Sequence, residues 1–130
     1  MDGYLVQQPF ADQIASGDKD WDVRIRPIQL PRKPFYILAT RVPHSMVAKY
    51  DPERLGVAVA IAETRGIVGP LSLEEMNRHG DHHRIPTDIL RFYAQDRPLY
   101  AMVLKANPID PRRYRSKMGA VHLIVQVQFE

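Results

Sequence analysis

The 130-residue sequence contains no cysteine. That absence excludes disulfide bonds, cysteine-ligated zinc and a thiol nucleophile, and it fits a reducing compartment. No hydrophobic run approaches the roughly 20 apolar residues that a membrane-spanning helix needs. The opening stretch, MDGYLVQQPF, has neither the basic start nor the apolar centre of a secretory signal. We therefore predict a cytoplasmic protein without a membrane segment.

Several familiar catalytic and binding motifs are also missing. The sequence has no glycine-rich phosphate loop, no G-x-S-x-G elbow and no Rossmann fingerprint, so nucleotide hydrolysis by these loops is unsupported. The excess of positive charge is small, because 18 Lys and Arg against 15 Asp and Glu give a net charge of +3. This excess permits binding to a polyanion without requiring it.

Composition and length predict a single folded domain over residues 1–130, since 45% of the residues are hydrophobic and 25% are charged. Hydrophobic periodicity predicts strands at 4–7, 21–26, 35–40, 57–63, 99–105 and 120–129. Short helices are predicted from Pro9 to Gly17, from Ser72 to near Gly80, and from Thr87 to Pro98, the second of them opening with the capping-box pattern of Ser72 and Glu75. Gly66 and Gly69 mark the predicted exit of the fourth strand, and 107–119 is predicted to be a loop. The pattern indicates an α+β barrel of about five or six mixed strands with about two or three short peripheral helices, although an open sandwich fits the same strand count.

Residues 21–26, WDVRIR, alternate strictly between apolar and charged side chains. Such a period of two is typical of a half-buried strand, and it predicts one charged face made of Asp22, Arg24 and Arg26. Lys19 stands just before this strand, where it can reach the same face. An ammonium, a carboxylate and a guanidinium together could bind a phosphate or the edge of a base. A solvated ion pair on the sheet surface is the alternative.

The segment Gly17 to Arg24, GDKDWDVR, resembles the ASCH-family pattern of a helix followed by G-x-K-x-x-E-x-R, with Asp22 where that family usually has Glu. The strands FYILAT and AVAIAE, the helix start LSLEEM, and the late order of strand, Pro-rich loop, glycine and strand are similar to that family as well. The resemblance covers most of the chain and implies a PUA-like barrel with the motif on the floor of a cleft. It further implies RNA binding or association with coactivators. A small bacterial branch of the family instead hydrolyses acetylated cytidine with a lysine of this motif.

The resemblance places Lys19, Asp22, Arg24 and Arg26 at a ligand site, together with Thr40 at the end of an apolar strand. If the protein is an enzyme, Lys19 is the base or nucleophile and Asp22 or Glu63 its carboxylate partner. A second candidate surface is a basic segment with one interleaved aromatic residue, which we expect to neutralise phosphates and stack a base: Arg112, Arg113, Tyr114, Arg115 and Lys117. An ordinary charged surface loop is the alternative for this segment.

Three histidines, His79, His82 and His83, are close in sequence. A zinc site needs its ligands on one face, and Gly80 and Asp81 are expected to interrupt any helix there. We therefore interpret the histidines as part of a solvated loop, and we expect no metal and no cofactor.

Together these features predict a module that binds RNA, another single-stranded nucleic acid or a nucleoside. An amidohydrolase acting on a modified nucleoside such as acetylated cytidine is the alternative, and a weak ribonuclease that uses one of the histidines is a lesser one. A protein-interaction adaptor ranks third, because no exposed apolar stripe argues for it.

Overall fold

Seven strands and four helices make up the part of the chain that the structure describes, residues 1–115 and 123–130 of a computed structural model. The strands are β1 (Asp2–Val6), β2 (Trp21–Arg24), β3 (Phe35–Ala39), β4 (Val57–Leu71), β5 (Leu99–Arg115), β6 (Ile124–Gln126) and β7 (Gln128–Phe129). The α-helices are α1 (Phe10–Ser16), α2 (Leu73–Asn77), α3 (Gly80–His83) and α4 (Thr87–Ala94), and a short 3-10 helix spans Pro52–Arg54. None of these helices is long and apolar enough to cross a membrane. The predicted α+β class is confirmed, with more strands and helices than expected.

The strands form one sheet in the order β2-β5-β4-β3-β1-β6, and β7 pairs with β5. Neighbouring strands are antiparallel except β1 and β3, which run parallel. Over the described residues no backbone ladder joins β2 to β6, so hydrogen bonds do not close the predicted barrel. The sheet nevertheless curls far enough for β2 to meet β1, since the Tyr4 hydroxyl of β1 donates a hydrogen bond to Asp22 of β2. This curl brings the polar side chains of β2 against β1.

Strand β4 continues through both glycines that the sequence predicts as its exit. Gly66 has a φ of +118° and Gly69 a φ of +130°, values that favour glycine. The register against β5 shifts at both places, and such bulges bend a strand without ending it. At Gly69 a Cβ atom would lie 2.7 Å from the carbonyl oxygen of Leu99, so no side chain fits there. The predicted end of the strand was therefore wrong.

Strand β5 likewise runs through most of the Pro-rich and Arg-rich segment that was predicted to be a loop. Opposite Val59 of β4, β5 bulges over residues 109–111. This bulge accommodates Pro111, whose nitrogen cannot donate to the ladder. The loop prediction for 107–119 was wrong as far as Arg115, and the rest of that segment lies outside the described residues. The beginning of the strand predicted at 120–129 lies outside them too.

The helices begin and end for local reasons that the sequence shows. Helix α1 follows Pro9 and ends at Gly17, whose φ of +86° is the left-handed conformation that ends many helices. Helix α2 begins with the predicted capping box, in which Ser72 and Glu75 bond each other's backbone N–H groups. It ends at Asn77, somewhat earlier than predicted, and α3 follows after a short turn.

Two main apolar clusters hold these elements together. The larger lies between α1 and the sheet and includes Ile14, Phe35 and Val59. The second joins α2 and α4 to β2 and the start of β5, around Met76 and Leu90. Between them the two clusters supply walls to one cavity.

Candidate functional site

A cavity of about 370 Å³ lies between β1, the start of α1, β2 and α4. This volume falls in the range of roughly 300–1,000 Å³ that is typical of small-ligand sites. Its polar lining residues are Gln7, Lys19, Asp22, Arg24, Thr40 and His44. Its apolar and aromatic lining residues are Leu5, Val6, Phe10, Val23, Ile85, Ile89, Leu90, Tyr93 and Leu123. The structure thus brings together four residues that the sequence assigned to one cleft, Lys19, Asp22, Arg24 and Thr40.

The charged face of β2 is turned into the molecule. Asp22 is 4% exposed, and the side chain of Arg24 is 20% exposed. The alternation correctly predicted which side chains share a face of β2, but neither face is exposed to solvent. On the apolar face Trp21 packs in the second apolar cluster, and on the charged face Asp22 and Arg24 line the cavity. The alternative of a solvated surface ion pair is therefore wrong for these two residues.

Asp22 and Arg24 are held by a third residue, Tyr4 of β1. Arg24 Nε donates to Asp22 Oδ2 at 2.9 Å and to the Tyr4 hydroxyl oxygen at 3.0 Å, while Arg24 Nη2 donates to the carbonyl oxygen of Leu5 at 3.2 Å. The Tyr4 hydroxyl in turn donates to Asp22 Oδ2. Burial, with the nearby charge of Asp22, raises the pKa of Tyr4 above its usual range. Burial disfavours the charge on Arg24, but the carboxylate of Asp22 outweighs it and raises the pKa of that guanidinium.

The ammonium of Lys19 is buried beside this network. Lys19 is 2% exposed, and its Nζ lies 4.7 Å from the centroid of the Phe10 ring. Its hydrogen-bond acceptor is the carbonyl oxygen of His83. Burial lowers the pKa of Lys19 from 10.5 to about 8, and the negative charge of Asp22 opposes that change only in part. At neutral pH the side chain is therefore a cation that loses its proton more readily than an exposed lysine.

His83 positions the acceptor of Lys19 and is itself fixed on both ring nitrogens. Its Nε2 lies 2.8 Å from the carbonyl oxygen of Met76, and its Nδ1 accepts from the backbone N–H of Ile85 at 2.9 Å. These partners require a neutral ring with the proton on Nε2. Burial, with a smaller contribution from the charge of Lys19, lowers the pKa of His83 and favours the same neutral form. This histidine is a core residue, not part of a solvated loop.

The other two clustered histidines pack on Trp21. The ring centroid of His82 lies 4.7 Å from that of Trp21 with near-parallel planes, and His79 lies 4.8 Å away. His82 Nδ1 is also 2.8 Å from Asp20 Oδ1. The predicted loop was wrong here, because α3 begins at Gly80. Within 1–115 and 123–130, no group of three or more His, Asp or Glu side chains is placed to hold a metal ion.

Thr40 and His44 close one side of the cavity. The backbone N–H of Thr40 donates to the carbonyl oxygen of Val6 at 3.1 Å, and the hydroxyl of Thr40 donates to the carbonyl oxygen of Val42 at 2.7 Å. The amide and the hydroxyl proton that were predicted for a ligand are therefore already engaged. The ring of His44 packs edge-on against Phe10, with their centroids 5.5 Å apart.

Two predicted residues, Arg26 and Glu63, lie away from the cavity. Arg26 follows the end of β2 and is exposed. Glu63 is exposed on β4, opposite Lys105 and 3.7 Å from Arg65. Of the acidic residues that the structure describes, Asp22 alone lines the cavity with Lys19. The structure thus does not bring Glu63 to Lys19 as a carboxylate partner.

The predicted basic segment also lies outside the cavity. Its three arginines are exposed on β5: Arg112, Arg113 and Arg115. The guanidinium of Arg112 stands 4.1 Å from the centroid of the Phe129 ring. Lys117 lies outside the described residues. The arginines are therefore separate from the cavity, and Arg112 lies on the opposite side of the strand from Arg113 and Arg115.

Tyr114, the aromatic residue of that segment, is buried beneath the surface. Its hydroxyl donates to the carbonyl oxygen of Ala39 at 2.9 Å, and the guanidinium of Arg41 lies 5.8 Å from its ring centroid. A buried ring presents no face for a base, so the expected stacking by Tyr114 is contradicted by its position.

Sequence reasoning missed several residues of the site. Tyr4, Phe10 and Tyr93 were assigned only to a strand or a helix face, yet they hold or line the cavity. Local pattern gave no reason to select Phe10 or Tyr93. Tyr4 offered one signal, since a tyrosine at an inward strand position usually bonds a polar partner.

Comparison with known proteins supports the fold. No family model matches the chain, and no curated protein matches it. The solved structure of ASCH from Zymomonas mobilis is 22% identical with a TM-score of 0.67, covering 86% of this chain and 72% of that one. A tyrosine-to-phenylalanine mutant of the same ASCH protein is 24% identical with a TM-score of 0.65, covering 86% of this chain and 74% of that one. A serine-to-alanine mutant gives the same identity and TM-score, with 86% and 72% covered. The resemblance seen in the sequence is confirmed in the structure: this chain has the ASCH fold.

Proposed function

We propose that this chain binds single-stranded RNA by holding one nucleobase in the cavity. The observation that carries the proposal is the convergence of Lys19, Asp22 and Arg24 on one largely apolar cavity. Sequence-specific proteins usually recognise RNA through unstacked bases, which they hold in pockets and bond at their edges. The resemblance to the ASCH family, known mainly for RNA binding, favours the same function.

Two hydrogen-bonding atoms at the cavity remain for a ligand. Among the residues described, none donates a hydrogen bond to Asp22 Oδ1 and none accepts one from Arg24 Nη1. A carboxylate oxygen accepts from an exocyclic amine or a ring N–H, whereas a guanidinium N–H donates to a ring nitrogen or a carbonyl oxygen. The pair therefore suits a base edge that carries a donor beside an acceptor.

The rest of the cavity suits the flat faces of a base. Phe10 and Tyr93 supply aromatic walls, and Ile85 and Ile89 supply aliphatic ones. Such walls exclude water from the ring faces, and in a drier environment each hydrogen bond at the edge becomes stronger. A volume of about 370 Å³ leaves room for one nucleoside-sized ligand.

The exposed arginines of β5 are the proposed contacts to phosphates. Arg113 and Arg115 are exposed on the same side of β5, outside the cavity, while Arg112 is exposed on the opposite side. Lys117 follows two residues after Arg115 in the sequence. An RNA chain anchored by one base can extend over such a surface. Binding to phosphates releases counterions, so the affinity should fall steeply as salt is added.

The test is fluorescence anisotropy with a labelled single-stranded RNA of mixed sequence, at about 50 mM and about 200 mM salt. We expect Ile89→Trp, which fills the cavity, to weaken binding about tenfold or more, because the base loses its stacking and edge contacts. Ile67→Trp is the matched control, since Ile67 is exposed on β4 away from the cavity. If the parent chain does not bind at low salt, or if both variants bind as the parent does, the proposal fails.

A second candidate function, hydrolysis of an acetylated nucleoside, is favoured by the lowered pKa of Lys19, about 8. In its neutral form Lys19 takes a proton from a water molecule as the oxygen attacks the acetyl carbonyl. The C–N bond then breaks, the exocyclic nitrogen receives the proton, and acetate and the free nucleoside leave. Asp22 is the carboxylate that remains to orient the amine. No histidine between 79 and 83 lines the cavity, so the structure does not support a ribonuclease mechanism that uses one of these three histidines.

Release of acetate from N4-acetylcytidine tests this second function. The parent chain should turn the substrate over at a rate that rises with pH and levels off above about pH 8, because only the neutral amine acts as a base. Lys19→Ala should abolish turnover, whereas Lys105→Ala, a change at an exposed lysine, should not. A parent chain that releases no acetate excludes this function and leaves the binding proposal intact.

A further inference from the structure

The ring of Phe92 on α4 is 78% exposed, the highest value among the large hydrophobic side chains that the structure describes. Single exposed hydrophobic side chains are common on protein surfaces, so the position of this ring beside the cavity-lining stripe of α4 carries the argument. From its position we infer that Phe92 is a stacking platform for the base next to the one in the cavity. This inference rests on the proposed RNA binding and extends it to a second subsite.

The geometry of α4 places Phe92 at the outer edge of the cavity. Successive residues of a helix are about 100° apart around its axis. Leu90 and Ala94 face the second apolar cluster, and Ile89 and Tyr93 on the adjoining stripe line the cavity. Phe92 comes next around the helix, on the side of the cavity stripe away from the core. Around the helix axis, the core-facing residues are therefore followed by the cavity-lining residues and then by Phe92, which faces solvent.

The occupant that fits this ring is a base and not a protein surface. On the side away from the cavity Phe92 is flanked by exposed charged residues, Asp88 and Arg91, so the apolar surface does not extend beyond the ring in that direction. Arg91, which is exposed as well, is adjacent to Phe92 in sequence. An aromatic ring beside guanidinium groups is the combination with which proteins bind single strands, because the ring stacks a base while the cations meet phosphates.

The size of the cavity gives a second reason, which rests on the same proposed binding of one base. Its volume of about 370 Å³ suits one nucleoside, so the neighbouring nucleotide must lie outside, at the rim. On α4, Phe92 is the next residue around the helix axis beyond the cavity-lining Ile89. A dinucleotide should therefore bind more tightly than a single nucleoside, and the difference should depend on Phe92.

The experiment compares the four ribonucleosides with the four homodinucleoside monophosphates by isothermal titration. In the parent chain we expect at least one dinucleotide to bind about fivefold or more tightly than its nucleoside, and Phe92→Ala should remove that advantage. Nucleoside affinity should stay within about twofold, since Phe92 is not a cavity-lining residue. Phe92→Tyr, which retains an aromatic face, should restore dinucleotide binding, and Ile67→Ala should change neither affinity.

The outcomes separate this inference from the function on which it rests. If nucleosides and dinucleotides bind equally, or if Phe92→Ala leaves the dinucleotide advantage unchanged, the platform is refuted while base binding stands. If no nucleoside, dinucleotide or single-stranded RNA binds to the parent, the proposed function fails as well. If sedimentation shows a dimer that Phe92→Ala abolishes, the ring belongs to self-association and the inference is overturned. Because Phe92 is exposed, the melting temperature of the variants should match that of the parent.

Discussion

Replacing Lys19 by methionine removes a buried charge while keeping the length of the side chain. The ammonium lies in the cavity between Phe10 and the carbonyl oxygen of His83, with 2% of the residue exposed. Methionine fills similar space and needs no hydration, so the variant isolates what the charge does to folding.

The sign and size of the effect follow from the pKa of Lys19, which folding lowers from 10.5 to about 8. Between those two pH values the unfolded chain keeps a proton on Lys19 that the folded chain releases. The stability of the parent relative to Lys19→Met therefore rises with pH across this window, by about 3 kcal/mol in total. Below about pH 8 both states hold the proton, and the cost of burying it is present in full.

The measurement is urea unfolding of both proteins at several pH values from about 7 to about 10.5, a range that spans the titration of Lys19. The quantity of interest is the difference between their free energies of unfolding, because other groups titrate equally in both chains. Lys105→Met is the matched control, since Lys105 is exposed on β5, and its difference from the parent should stay flat.

A difference that stays constant with pH for Lys19→Met would refute the reasoning. If the stability of the parent relative to Lys19→Met instead fell as pH rises, the predicted sign of the effect would be reversed. In that case the attraction of Asp22 for the ammonium would outweigh the effect of burial, and Lys19 would stabilise the fold as a cation.

Two further predictions concern the walls of the site and the bend of the sheet. Tyr4→Phe should lower the free energy of unfolding, measured in urea, by about 1.5–3 kcal/mol, because a buried hydrogen bond to the charged Asp22 is lost while the ring remains. An unchanged urea midpoint would contradict this prediction. Gly69→Ala should destabilise by more than about 1 kcal/mol in thermal unfolding, because of its φ of +130° and the 2.7 Å approach of the Leu99 carbonyl oxygen. Gly80→Ala, where a Cβ meets nothing within 4 Å, is the control that should not destabilise, and equal losses in both variants would count against the strain.

Local sequence was sufficient where local geometry decides the outcome. The alternation over residues 21–26 predicted β2 and the shared face of Asp22 and Arg24, because side chains of any strand alternate between its two sides. Gly17 and the Ser72 capping pair predicted a helix end and a helix start for the same reason.

Local sequence failed where a partner distant in sequence decides. The charged face of β2 is covered by Tyr4, a residue of another strand, and nothing within 21–26 indicates that cover. Gly66 and Gly69 are typical of turns, but their long pairing with β5 makes them bulges instead. The place of His83 is tied to Lys19, which donates a hydrogen bond to the carbonyl oxygen of His83 from far away in the sequence.

The contacts of Asp22 and Arg24 with β1 have a mechanical consequence. They join β2 to β1, although three other strands lie between these two in the sheet order. Side-chain hydrogen bonds thus connect two strands that no backbone ladder pairs over the described residues. The same two residues face the cavity. A ligand that draws Asp22 and Arg24 away from Tyr4 and Leu5 would weaken the contact between β1 and β2. A ligand that holds them in place would strengthen it. Ligand contacts in the cavity and the side-chain bonds between β1 and β2 thus depend on the same two residues.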